Sequence, residues 1–128
     1  MSVNSPITAA ARWTQGEDKR LEWTVVDAAG APVNCTAFTF LFELFPSQFS
    51  GSKLLSRNTV TLFNVNGTND GVRVQIADTD TIDQATGAEL IPAGAYWYEF
   101  WKTNEGDEQL LASGSAELQA SRRRQEVA

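Results

Sequence analysis

Apolar and polar residues along this chain alternate with a period of two far more often than with a helical period, which is the mark of half-buried strands. From Lys19 to Asp27, Leu21, Trp23 and Val25 fall on one face, while Arg20, Glu22, Thr24 and Val26 fall on the other. From Gly71 to Ala77, Val72, Val74 and Ile76 alternate in the same way. Thr36 to Phe45 puts Phe38, Phe40, Phe42 and Leu44 on one face but Leu41 and Phe45 on the opposite one. Apolar residues on both faces predict a central strand whose outer face is also covered, as by a partner subunit. The strongest run is Ala95 to Lys102, in which Tyr96, Trp97, Tyr98, Phe100 and Trp101 are aromatic. Its alternation divides Tyr96, Tyr98 and Phe100 from Trp97 and Trp101. One set should fill a core and the other should meet something else.

Turn chemistry separates these runs. Gln15-Gly16-Glu17-Asp18, Ala28 to Pro32, Asn66 to Gly71 and Ile91-Pro92-Ala93-Gly94 are rich in residues that reverse a chain. Thr8 to Thr14 predicts a short strand ending in Trp13, Asn58 to Val65 another, and Gln109 to Gln119 the last; Pro46 to Arg57 reads as a loop containing Phe49. Asp78 to Ala85 breaks the alternation and predicts one or two helical turns, capped by Asp78 or Thr79 and anchored by Ile82. Strand runs at this spacing predict an all-β fold: an immunoglobulin-like β-sandwich of about seven antiparallel strands, with one short helix near residues 78–85. The expected organisation is an N-terminal arm over residues 1–7, a sandwich over 8–119 and a basic C-terminal tail over 120–128.

Composition supports a single domain. The chain has 128 residues, 42% of them hydrophobic and 20% charged, which is ordinary globular usage. Residues 1–6 show no basic, apolar pattern of a secretory signal, so the expected site of synthesis is a cytoplasm. No apolar run is long enough to span a bilayer, and no membrane partner is expected. The net charge of −6 argues against nucleic acid as a partner. Arg122, Arg123 and Arg124 contribute +3 to that total, which leaves −9 on the rest. Such asymmetry can steer the tail onto an acidic partner or onto the protein's own acidic surface.

Catalytic chemistry finds little to work with. Zero histidines remove the commonest general base and metal ligand together, so neither a Ser-His-Asp nor a Cys-His arrangement can be built. The single cysteine, Cys35, rules out an intramolecular disulfide; with no basic neighbour in sequence it is expected to be a small packing residue. An EF-hand starting at Asp78 would need Gly where Asp83 stands, although Glu89 fits the twelfth position. These acids are expected to cap a helix on a solvated loop. Asn66, Asn69 and Asp70 are turn formers first, and Glu17 and Asp18 on a turn make a poor glycosidase pair. Asn34-Cys35-Thr36 and Asn66-Gly67-Thr68 match the N-glycosylation pattern, which is expected to be a coincidence because no secretory signal is expected. No catalytic residue, cofactor or metal is expected.

The candidate interface residues are Phe45, Phe49, Trp97 and Trp101, with Arg122, Arg123 and Arg124 adding electrostatic contacts. The order of signals resembles the immunoglobulin-like or fibronectin-like tail and baseplate domains of bacteriophages, such as the N-terminal domain of baseplate upper proteins. The matching pieces are Thr14 to Asp18, Val26 to Asn34, Phe38-Thr39-Phe40, the segment Asp78 to Ala85 leading into Ile91 to Phe100, and Leu110 to Ser115. Together they cover about Thr14 to Leu118. The stretch Phe38 to Phe49 is heavier in aromatics than that pattern, and no further domain is expected after Arg124. The resemblance implies a non-enzymatic virion structural protein: a small tail, baseplate or fibre-adaptor component bound to other virion proteins in a homo- or hetero-oligomeric assembly. Two alternatives remain open: a capsid decoration protein, and a carbohydrate-binding module stacking sugars on Trp97 and Trp101.

Overall fold

The computed structural model describes residues 2–3, 12–49, 51–81, 83, 85–86, 88–104, 106 and 108–120. Among these residues nine strands form two sheets: β1 (Ser2–Val3), β2 (Arg12–Thr14), β3 (Lys19–Val26), β4 (Phe40–Phe45), β5 (Leu55–Arg57), β6 (Thr61–Phe63), β7 (Gly71–Ile76), β8 (Gly94–Lys102) and β9 (Gln109–Gln119). The first sheet runs β1-β3-β7-β6 and the second β2-β9-β8-β4-β5. The fold is an all-β sandwich. Every pairing is antiparallel except β2 with β9, where Arg12, Trp13 and Thr14 run parallel to Glu117, Leu118 and Gln119. Among the described residues the single helical element is a 3-10 turn at Asp78–Asp80.

Several sequence expectations shift in detail. Within residues 1–7, Ser2 and Val3 pair with Val26 and Val25 at the edge of the first sheet, and the rest of the expected arm lies outside the described residues. Pro46 to Arg57 is not all loop: Leu55–Arg57 pairs with β4, and Leu54 N–H donates to the Leu44 carbonyl at 2.8 Å. The strand in Asn58 to Val65 shortens to Thr61–Phe63, and the one in Thr36 to Phe45 begins only at Phe40. Of the helix expected over 78–85, the described residues show the 3-10 turn Asp78–Asp80; its expected anchor Ile82 lies outside them. Its acids are not simply solvated caps. Asp80 accepts the Ala77 N–H at 2.7 Å and forms an ion pair with Arg57 of β5.

The core is aromatic and spans both sheets. Trp23 from β3 stacks on Phe100 from β8 at 4.4 Å and 11°, and tilts against Phe42 and Tyr98 at 6.4 and 6.1 Å. Phe40 also stacks on Phe100, at 5.5 Å. Such pairs contribute roughly 0.5–1.5 kcal/mol each beyond burial. The buried indole N–H of Trp23 has no partner among the described residues, which costs on the order of 1–3 kcal/mol and is offset by these contacts. Cys35 is buried in the same core, as a packing residue, and burial followed by the charge of Asp70 pushes its thiol up to about 11.

Loops lock both ends. At one end Gly30, with φ of +83°, completes a turn in which Asp27 Oδ1 accepts the Ala29 and Ala31 N–H groups, each at 2.9 Å. Asn104 ties the β8–β9 loop to the chain before β4: its Oδ1 accepts from Thr39 N–H at 3.0 Å and its Nδ2 donates to the Ala37 carbonyl at 3.1 Å. At the other end Gln15 is buried and donates to the Ile91 carbonyl and to Glu89, both at 2.8 Å, while Thr81 Oγ1 accepts the Gly16 N–H at 2.8 Å. These ties hold the start of β8 in place. They thereby set which of its side chains face outward.

A candidate interface on the outer face of the second sheet

Strand β8 lies between β9 and β4, and its alternation resolves the question posed by its aromatics. Tyr98 and Phe100 are buried and Tyr96 packs against the core, so this set faces inward. Burial raises the phenol of Tyr98 above its ordinary range, and burial followed by the charge of Glu89 does the same for Tyr96. Trp97, Glu99 and Trp101 therefore point out of the sandwich, each half-buried.

Register then builds a surface from three strands. Trp97 stands opposite Phe45 of β4 and Ser115 of β9; Glu99 opposite Glu43 and Ser113; Trp101 opposite Leu41 and Leu110. Directly opposed residues on one face have Cβ atoms about 4.5–5.5 Å apart, so each set forms one rung. Two apolar rungs thus flank an acidic one. A bulge between Phe100 and Trp101 leaves Leu111 against the core and brings Leu110, 43% exposed, beside Trp101.

The acidic rung is organised. Two carboxylates opposite one another repel, yet each has a counterpart: Lys53 Nζ forms an ion pair with Glu43 Oε2 at 2.7 Å, and Trp101 Nε1 donates to Glu99 Oε1 at 3.0 Å. The side chain of Glu43 is only 10% exposed while that of Lys53 is 55% exposed, so the cation comes from solvent over a recessed anion. With one lysine against two glutamates the face keeps a net negative charge. The first sheet presents a different outer surface. There Glu22 pairs with Arg73, whose guanidinium lies 5.0 Å over the Phe63 ring, and Phe63 in turn covers Gly71.

Of the interface residues expected from sequence, Phe45, Trp97 and Trp101 converge on this face. Phe49 does not lie in a strand; it follows β4 in the connection to β5 and is 92% exposed. Arg122, Arg123 and Arg124 lie outside the described residues. Leu41 is expected from sequence on the same outer face as Phe45, whereas Glu43, Lys53 and Leu110 are not among the interface residues expected from sequence. Glu43 carried a usable signal, as the one charged residue at an outward position of the apolar run Phe40 to Phe45, but its opposition to Glu99 needs the strand register. Among the described residues no group of three or more acidic or cysteine side chains is placed to hold a metal ion.

No family model matches the chain, and none of the curated proteins compared with it matches. Similar folds occur among solved structures. One is the endo-β-1,4-mannanase from Thermotoga petrophila, with 11% identity and a TM-score of 0.54 over 94% of this chain and 20% of that one. The chain thus spans about a fifth of that enzyme, and the likeness is one of fold alone. Another is the PmoD soluble domain from Methylocystis sp., with 8% identity and a TM-score of 0.44 over 84% of this chain and 77% of that one.

Proposed function

We propose that this chain is a non-enzymatic structural protein of a bacteriophage virion, an immunoglobulin-like domain that joins a tail, baseplate or fibre adaptor through protein–protein contacts. The observation that carries a binding role is the outer face of the second sheet. Aromatic rings there flank an ordered acidic pair, where a lone sandwich would place scattered polar residues. Aromatic anchors at the centre of such a surface contribute roughly 2 kcal/mol or more each.

Three features support the immunoglobulin-like reading. The sheet order, with four strands on one side and β9, β8 and β4 at the centre of the other, follows the Greek-key arrangement of those domains. The Tyr96 hydroxyl donates to the Pro92 carbonyl four residues upstream, the geometry of a tyrosine corner at the start of the corresponding strand. The stacked pair Trp23 and Phe100 bridges the two sheets from β3 and β8, the strands that a disulfide joins in antibody domains. The virion assignment rests on the ordered resemblance from Thr14 to Leu118, and the absence of histidine from the whole chain supports a non-catalytic role.

Mass spectrometry of phage particles purified to homogeneity tests the assignment. The chain should be present in a fixed ratio to the other virion proteins, and its consistent absence would end this reading. Copy number separates a tail or baseplate component, in tens or fewer, from a capsid decoration protein in hundreds. Glycan binding that disappears in Trp97→Ala or Trp101→Ala would instead favour a sugar-stacking module on the same face.

A further inference from the structure

We infer that the outer face of the second sheet receives the basic segment Arg122–Arg124 of a second copy of this chain, so that copies associate head to tail. The inference rests on the reading of that face as an interface, and it names the occupant. Charge decides first. Pairing two such faces about a two-fold axis would bring Glu43 and Glu99 of one copy against the same residues of the other, four carboxylates with only two Lys53 side chains. The face therefore rejects its own image and calls for a cationic complement.

The chain offers one concentrated source of that charge. Of its ten basic residues, Arg12, Lys53, Arg57 and Arg73 are already in ion pairs with Glu117, Glu43, Asp80 and Glu22, and Lys102 is buried with its ammonium 4.7 Å from the Phe38 ring centre. Arg122, Arg123 and Arg124 are the longest run of basic residues, against the pair Lys19-Arg20 on β3 of the first sheet. Geometry agrees with the match. In an extended segment Arg122 and Arg124 project to one side about 7 Å apart, the same spacing as successive outward positions Trp97, Glu99 and Trp101 on β8. A guanidinium suits both parts of the surface, since it pairs with carboxylate through two parallel hydrogen bonds and stacks on tryptophan.

Distance favours a second copy over the same molecule. Along β9, Gln119 lies six residues beyond Ser113, the partner of Glu99, hence about 20 Å from the acidic rung. Reaching back takes a chain reversal followed by nearly all of the roughly 17 Å that residues 119–124 span when extended. Docking in trans meets no such limit. A contact between two different surfaces is heterologous, so it propagates into a ring or a filament, the form suited to a component present in several copies.

The test uses two full-chain variants and sedimentation velocity at low salt. One carries Arg122→Ala, Arg123→Ala and Arg124→Ala and keeps the face; the other carries Glu43→Gln and Glu99→Gln and keeps the basic run. The wild type should self-associate, and raising salt from about 0.01 to 0.15 M should weaken it as the screening length falls from roughly 30 to 8 Å. Each variant alone should associate at least roughly ten-fold more weakly, and an equimolar mixture should recover a one-to-one complex. Should Glu43→Gln disturb folding, Glu99→Gln alone serves as the face variant. A wild type that stays monomeric, unchanged association in the arginine variant, or variants that fail to complement each overturn the inference. Those results leave the wider reading standing if the chain still occurs in purified particles, so the two fail separately.

Discussion

Replacing Asp70 by Asn tests how the β6–β7 connection is held. Asp70 is fully buried, and its Oδ1 accepts the N–H groups of Val65 at 2.9 Å and Asn66 at 3.1 Å, while Oδ2 accepts Asn66 Nδ2 at 2.9 Å. Its own carbonyl receives the Val25 N–H at 2.8 Å, and the Asn69 carbonyl receives Cys35 N–H at 2.9 Å, so the turn is tied to β3 and to the core cysteine. Burial alone would raise this carboxyl; the hydrogen bonds from Val65 and Asn66 outweigh it and hold the group below the ordinary aspartate range. Asparagine keeps two acceptor contacts at neutral strength but sets its amide donor against that of Asn66. Weakening two charge-assisted bonds and losing the third amounts to about 2 kcal/mol at pH 7, partly relieved because Asn66 and Val65 reach solvent. For a domain of this size that is a fall in Tm of roughly 6–10 °C.

The pH dependence carries the sharper signature. Because the native carboxyl is depressed, the unfolded chain binds this proton first as pH falls, so the stabilisation is complete above the unfolded value of about 3.9 and is lost through the lower native value. Urea titrations of both proteins from pH 7 to pH 2.5 should show the wild-type advantage shrinking below about pH 4, with all other titrations cancelling in the difference. An advantage that stays constant across this range, or grows on acidification, would refute the charge-based account of the turn.

Further outcomes follow from the same structure. Gly71→Ala should destabilise by about 1–2 kcal/mol in chemical denaturation, because the new Cβ would sit 2.5–2.7 Å from three atoms of the Phe63 ring and displace it from beneath Arg73; a stabilised variant would contradict this. Cys35 should resist Ellman's reagent at pH 8 in the native state and react at once when unfolded, and Asp70→Asn should lower its thiol pKa only partly, since burial is the larger cause. Trp23→Ala should cost roughly 3–5 kcal/mol while Trp97→Ala and Trp101→Ala cost about 1 kcal/mol or less each, because only Trp23 is fully buried; equal costs would mean the two faces of β8 are misassigned.

Much of the sandwich is legible in the order of residues. Leu21, Trp23 and Val25 announce one inward face, and the division of Tyr96, Tyr98 and Phe100 from Trp97 and Trp101 announces another, because a period of two leaves few ways to bury large rings. Which set faces inward is not legible, since it depends on the neighbours β4 and β9 supply. The same holds for the acidic rung: Glu43 and Glu99 are 56 residues apart in sequence, and only the antiparallel register of β4 with β8 opposes them. Strands β1 and β5 escape pattern reading because two and three residues contain too little alternation, and their pairing is decided by the sheet edges they complete. The parallel contact of β2 with β9 has no local signal either. It follows from Trp13 seeking the end of the core.

The central claim is that this chain is a virion building block bound through the outer face of its second sheet. Its most direct test compares incorporation of the wild-type chain with that of a Trp97→Ala, Trp101→Ala double variant into particles, each quantified by mass spectrometry against an invariant virion protein. The account predicts a fixed stoichiometry for the wild type and near-complete loss for the double variant, with its melting transition intact. Equal incorporation of the folded variant, or absence of the wild-type chain from the particles, would contradict it.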